Sequence, residues 1–175
     1  MSSTTETLRV DRYPTRVSDQ PELLERDEPV VYGTPADGPL DQEQLDAFDR
    51  DGFLLLEGLF NDGEVAAFRQ RLDELSADPE VRADDRTITE LEHDEVRSIF
   101  EVHRTDELFA DAASDPRVAD VARQILGSDV YLHQSRINVK PGFVGDGFWW
   151  HSDFETWHAE DGMPGMRCLS ASITL

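Results

Sequence analysis

The apolar residues of this chain change their spacing part-way along it, and that change limits the folds open to it more than any single motif does. In the first two thirds they recur at helical intervals, as Val65, Phe68, Leu72 and Leu75 in one run and Val118, Val121, Ala122 and Ile125 in another. From Asp129 the interval becomes two: Tyr131, His133, Ser135, Ile137 and Val139 alternate with Leu132, Gln134, Arg136, Asn138 and Lys140. Side chains two apart on a strand share a face, so this strand has one polar face, turned either to solvent or to a polar pocket. A chain that starts in helices and goes on in strands is α+β, its second half entering a β-sandwich or barrel.

Local signals place the boundaries. Asp41 with Gln44 makes a capping arrangement for a helix through Leu45 and Phe48 that stops at Gly52. Phe53-Leu54-Leu55-Leu56 then reads as a buried strand. Asn61 caps the next helix, which Asp78-Pro79 ends, and Asp115-Pro116 opens another that closes near Gly127. Pro141-Gly142 ends the long strand, and Gly145-Asp146-Gly147 gives a flexible connection to Phe148-Trp149-Trp150. Trp149 and Trp150 are neighbours on an extended chain, so at least one of them packs outside any pocket. Residues 1–39 mix charges with Pro14, Pro21, Pro29, Pro35 and Pro39, and read as an arm, of low order at its start, lying over a domain of residues 40–175.

Charge excludes some partners. Asp plus Glu number 38 against 16 Lys plus Arg, a formal charge of −22, which repels nucleic acid and anionic membranes. So dense a carboxylate surface fits first an ordinary solvated exterior, with adaptation to high internal salt as the alternative. Cys168 is the one cysteine, so no intrachain disulfide forms, and neither a signal h-region nor an apolar run of membrane length is present. The expectation is a soluble, cytoplasmic protein of one domain.

The chemistry centres on His151-Ser152-Asp153. Residues two apart on extended chain project to one side and can reach one ion. An imidazole and a carboxylate are two corners of the facial triad that holds iron(II), whereas structural zinc wants four closed ligands, commonly several of them cysteine. In so acidic a chain the bare His-x-Asp pair also arises by chance.

Its surroundings carry more. Phe148 to His158 (FWWHSDFETWH) and Glu160 to Arg167 (EDGMPGMR) closely resemble the signature stretch of the ectoine hydroxylases, in the phytanoyl-hydroxylase-like branch of the iron(II), 2-oxoglutarate dioxygenases. The likeness continues through Ser170, Ser172, Ile173 and Leu175, and upstream through Arg97-Ser98-Ile99-Phe100 and His133 to Asn138. It implies a double-stranded β-helix, a jelly-roll or cupin-like core decorated by N-terminal helices, using Fe2+ with 2-oxoglutarate and O2 as cosubstrates to convert ectoine into 5-hydroxyectoine, a compatible solute. A homodimer is entertained without any sequence feature that fixes it.

The resemblance implies roles residue by residue. His151 and Asp153 fall on iron ligands. Lys140 falls on a 2-oxoglutarate contact, and is otherwise an exposed strand-end lysine. Gln134 and Trp157 fall on ectoine contacts, an amide for the carboxylate or ring N–H and an indole face for the cationic ring, where the alternatives are a solvent-facing glutamine and a packed core aromatic. Asn138, on the same polar face, is a weaker pocket candidate. The family's second histidine ligand and its 2-oxoglutarate arginine come later in sequence than Leu175, and Ser170 to Leu175 read as the start of an apolar strand. The expectation is therefore a partial sequence, incomplete as a metal site and inactive alone. His93, His103, His133 and His158 receive no ligand role, and Cys168 stands where relatives commonly carry alanine. Two other readings stay open: a related dioxygenase with another small substrate, and a non-catalytic acidic binding or stress protein.

Overall fold

The computed structural model describes residues 11–14, 20, 22–23, 25–90, 94–140 and 150–175. The chain divides into two units, Met1–Asp27 with Trp149–Cys168 and Glu28–Phe148 with Leu169–Leu175.

The larger unit begins with capping chemistry. The Asp41 carboxylate accepts from Gln44 N at 2.9 Å while the Gln44 carboxamide accepts from Asp41 N at 3.1 Å, a reciprocal box that starts α1 (Gln42–Asp51). Asn61 and Glu64 repeat the arrangement for α2 (Asp62–Ala77). Asp78 stays extended before Pro79, which ends α2, and its carboxylate caps the short α3 (Pro79–Arg82). β1 (Thr87–Thr89) and β2 (Val96–Phe100) pair antiparallel with a register shift between Ile88 and Thr89. α4 (Val102–Thr105) and α5 (Glu107–Ser114) follow, then α6 (Pro116–Leu126), started by Asp115 and closed by Gly127 at φ 59. β3 (Arg136–Asn138) completes an antiparallel sheet of order β1-β2-β3, with Ile99 opposite Ile137 and Ser98 opposite Asn138.

Among the described residues two apolar clusters hold this unit. Leu75, Val96, Ile99 and Val102 are buried together, with Val81, Phe109 and Ile137 against them. Leu40, Leu45 and Ile125 form the second, covered by Val31, Phe48, Leu54, Leu56, Val121 and Leu169. Wholly buried Gln124 joins the segment from Thr34 to Leu40 to α6, and Tyr32 N donates to Ile125 O at 2.8 Å.

In the smaller unit the described element is α7 (Asp153–Ala159), with Phe154 buried. No helix among the described residues is long and apolar enough to cross a membrane.

The expected helix ends at Asp41, Gly52, Asn61, Asp78 and Asp115 are all found. Three expected strands are corrected. Phe53–Leu56 alternates, with Leu54 and Leu56 packed on the core and Phe53 and Leu55 68% and 72% exposed, yet it pairs with nothing among the described residues. Tyr131 to Gln134 are all exposed, burial alternates only from Ser135 to Lys140, and only Arg136–Asn138 is paired. Ser170 to Leu175 forms no ladder among the described residues. A strand exists only where a neighbour accepts from its N–H groups and donates to its C=O groups, and β2 supplies that for three residues of β3. Expectations at residues 1–10, Pro141-Gly142, Gly145-Asp146-Gly147 and Trp149 lie outside the described residues.

Candidate metal centre

Ser152 is extended (φ −109, ψ 120) and Asp153 is the first residue of α7. The expectation of a continuous extended chain through His151-Ser152-Asp153 is thus corrected: the pair sits where extended chain turns into helix. That turn brings the carboxylate to the imidazole, with His151 Nε2 3.2 Å from Asp153 Oδ1. Both side chains are about half exposed, at 53% and 41%, and so can be reached from solvent. Ligands on adjacent corners of an octahedron, each about 2.1 Å from an ion, stand about 3 Å apart. The separation and the donor set, one nitrogen and one carboxylate oxygen, therefore fit two sites of an iron(II) facial triad.

Among the described residues no cluster of three or more His, Cys, Asp and Glu side chains forms. His158 is bonded at both ring nitrogens, Nδ1 to Met163 O and Nε2 to Asp11. His103 Nδ1 is bonded to Ser135 Oγ, the His133 ring meets the edge of Tyr131, and His93 lies outside the described residues. Burial pushes the Cys168 thiol up from its ordinary pKa, so it stays protonated at neutral pH and is a poor thiolate ligand.

The other expected site residues divide between the units. Trp157 is half-buried on α7, in the smaller unit. Gln134 and Lys140 belong to the larger unit, one on either side of β3, and both are exposed. With Arg136 and Asn138 they keep the polar face that the period-two pattern requires, and Asn138 Oδ1 accepts from the buried Ser98 hydroxyl at 2.9 Å. Trp150 is fully exposed, so one of the paired tryptophans stands outside any packed region. A hollow of about 390 Å³ in the larger unit is lined by Phe60, Glu64, Phe68, Leu108, Asp115 and Arg117, and none of the five expected site residues borders it.

Sequence reasoning missed the packing of Tyr13 against α7. Its ring meets Phe154 at 5.1 Å and His158 at 5.5 Å, both edge-on, while Phe154 and His158 stack at 5.4 Å. Tyr13 lies in a stretch read as an arm, and no local pattern announces a contact across 147 positions such as Asp11 with His158.

The chain is similar to known proteins in both sequence and fold. The family profile described as phytanoyl-CoA dioxygenase (PhyH) matches residues 48–175. A protein of Streptomyces coelicolor named ectoine dioxygenase is 54% identical over 174 residues, which is 99% of this chain and 58% of that one. One of the same name from Stutzerimonas stutzeri is 51% identical over 169 residues, 96% of this chain and 56% of that one. The crystal structure of EctD from S. alaskensis with 2-oxoglutarate and 5-hydroxyectoine superposes with a TM-score of 0.85 at 49% identity, covering 90% of this chain and 56% of that one. A crystal structure of the same protein with bound Fe matches equally well, at 0.85. The chain thus spans little more than half the length of the relatives it matches. A profile that runs from within α1 through α2–α6 to His151, Asp153 and Trp157 leaves one conclusion: this chain belongs to the phytanoyl-CoA dioxygenase family.

Proposed function

We propose that this chain carries part of the active site of an iron(II), 2-oxoglutarate-dependent hydroxylase that converts ectoine to 5-hydroxyectoine, a step in making a compatible solute against osmotic stress. The observation that carries the reading is the 3.2 Å approach of His151 Nε2 to Asp153 Oδ1 at the entry to α7. About 50% identity to proteins named ectoine dioxygenase supports the substrate. Likeness to an EctD structure holding 2-oxoglutarate and 5-hydroxyectoine supports both ligands. The complete fold in this reading is the double-stranded β-helix, of which the sheet β1-β2-β3 and the alternating segments beside it form part. Ferrous iron and a free Cys168 thiol both suit a reducing compartment, so we place the enzyme in the cytoplasm.

His151 and Asp153 would hold the ion, through one imidazole nitrogen and one carboxylate oxygen. Iron with 2-oxoglutarate and O2 supplies the oxidising chemistry, one oxygen atom entering the substrate as hydroxyl and the other leaving in succinate with release of carbon dioxide. The remaining residues bind and orient. The Lys140 ammonium donates to a carboxylate of 2-oxoglutarate. The Gln134 carboxamide donates to the ectoine carboxylate and accepts from a ring N–H. Trp157 lays its indole face against the cationic ring, which excludes water from that side.

The test is an aerobic assay with iron(II), 2-oxoglutarate and ectoine that follows succinate and 5-hydroxyectoine. It is run on this chain and on a fusion carrying the remaining C-terminal part of the S. coelicolor relative. Ectoine-dependent succinate from the fusion is expected. Succinate that rises with proline or a phytanoyl thioester and ignores ectoine would overturn the substrate assignment.

A further inference from the structure

The ring of His158 is engaged at both nitrogens, and both partners are oxygen atoms that can only accept. Nδ1 lies 2.6 Å from the Met163 carbonyl oxygen, and Nε2 lies 2.9 Å from Asp11 Oδ1. A neutral imidazole carries one N–H and one bare nitrogen, so either tautomer would leave a lone pair facing an oxygen lone pair at hydrogen-bond distance. The imidazolium alone donates at both positions. The titration directions agree with this geometry. His158 is raised above its ordinary value, first by the Met163 carbonyl and then by Asp11, and Asp11 is lowered by the Tyr13 amide and then by His158.

The grip joins three pieces of the smaller unit. Asp11 also accepts from Tyr13 N at 2.9 Å, and the Tyr13 ring stands edge-on to both Phe154 and His158. Phe154 is buried and stacks on the His158 ring. Met163 lies just beyond α7, and its own N–H donates to Trp157 O at 3.0 Å. Thus Asp11 and Tyr13 face the ring from the N-terminal segment, Phe154 from its own helix, and the Met163 carbonyl from the turn that follows. α7 has only 7 residues, and its cap Ser152 makes no side-chain hydrogen bond. So short a helix is not held by its own ladder, and its direction is set by what grips it. Asp153 is its first residue and Trp157 lies beside His158.

We propose that His158, as an imidazolium bonded to both Asp11 and the Met163 carbonyl, is a positioning residue that fixes α7 and with it the candidate iron ligand Asp153 and the candidate substrate contact Trp157. Its consequence for iron rests on the functional reading above, whereas the grip itself stands on the contacts of His158 alone.

The test uses the 15N-labelled chain and its Asp11→Asn variant, chosen because Asp11 is half exposed and asparagine keeps its size while removing its charge. At pH 7 both His158 ring nitrogens are expected at protonated chemical shifts. Exchange protection of the Tyr13 and α7 amides, corrected for intrinsic rates, should fall severalfold as pH rises through the His158 titration. D11N should show the lower protection at every pH, without the step. Anaerobic iron(II) titration should give binding about 3- to 10-fold weaker in D11N at pH 7, and the wild-type chain should lose the same factor above the His158 titration. A packing role alone would produce no pH step that D11N abolishes. A neutral His158 ring at pH 7, or α7 protection equal in both chains, overturns the proposal. If the grip behaves as described and neither chain binds iron(II), the positioning of α7 is supported and the iron reading falls.

Discussion

Gln124 and Leu40 stand 84 positions apart and bond to each other twice, Leu40 N donating to Gln124 Oε1 at 2.7 Å and Gln124 Nε2 donating to Leu40 O at 2.9 Å. The same amide donates to Thr34 O at 2.9 Å, so one wholly buried side chain satisfies three backbone groups of the segment that leads into α1. Truncating it leaves all three without a partner. Gln124→Ala should therefore lower stability by about 2–4 kcal/mol. Urea denaturation followed by circular dichroism measures this, and a loss below about 1 kcal/mol would show that water replaces the amide.

The glycine before Thr34 belongs to the same contact. A Cβ on Gly33 would come within 2.1 Å of the Gln124 carbonyl oxygen, a backbone atom that cannot swing aside. Gly33→Ala should cost about 1–3 kcal/mol through forced displacement of the segment. Thermal melting reads the effect, and an unchanged midpoint would mean that the segment shifts freely.

Acid should weaken the larger unit through Arg117. Its guanidinium bridges Asp115 and Glu64 at 2.6 and 2.7 Å and lies 4.4 Å over the Phe60 ring. It holds the Asp115 carboxyl at about 2, below the ordinary 3.8, and lowers Glu64 as well. A depressed folded-state value means that the contribution is complete above the ordinary range and is lost as pH falls through about 2. Urea midpoints of the wild-type chain should fall from pH 4 to pH 2. Asp115→Asn should be less stable at neutral pH and show a shallower fall, and parallel profiles would remove Asp115 from the account.

The candidate site predicts separable defects in the fusion protein. His151→Ala and Asp153→Ala should each weaken iron(II) binding by at least about 100-fold, beyond the 10- to 100-fold typical of groups that only support a ligand. Lys140→Ala should raise KM for 2-oxoglutarate by about 10- to 100-fold, the worth of one charge-assisted hydrogen bond. Gln134→Ala and Trp157→Ala should raise KM for ectoine while leaving that for 2-oxoglutarate nearly unchanged. Steady-state kinetics with each substrate varied in turn decides, and a Lys140 effect on ectoine alone would reverse the assignment.

What the residues determined unaided was local. Asp41, Asn61 and Asp115 cap helices because each carboxylate or amide oxygen reaches an N–H two or three positions on, and Gly52 and Gly127 end them in a left-handed conformation that other residues resist. That His151 and Asp153 lie on one side is expected from an extended chain, whereas the structure brings them together at the entry to α7. Tertiary structure alone decided the rest. Phe53–Leu56 alternates like a strand and pairs with nothing among the described residues, because strand pairing depends on a neighbour and not on the segment itself. Gln124 reads as one more polar helix residue until Leu40 and Thr34 close over it, and His158 becomes a double donor only when Asp11 arrives from 147 positions away. Interactions within a turn or two are written into adjacent residues, whereas burial and long-range hydrogen bonds depend on which distant groups folding brings within reach.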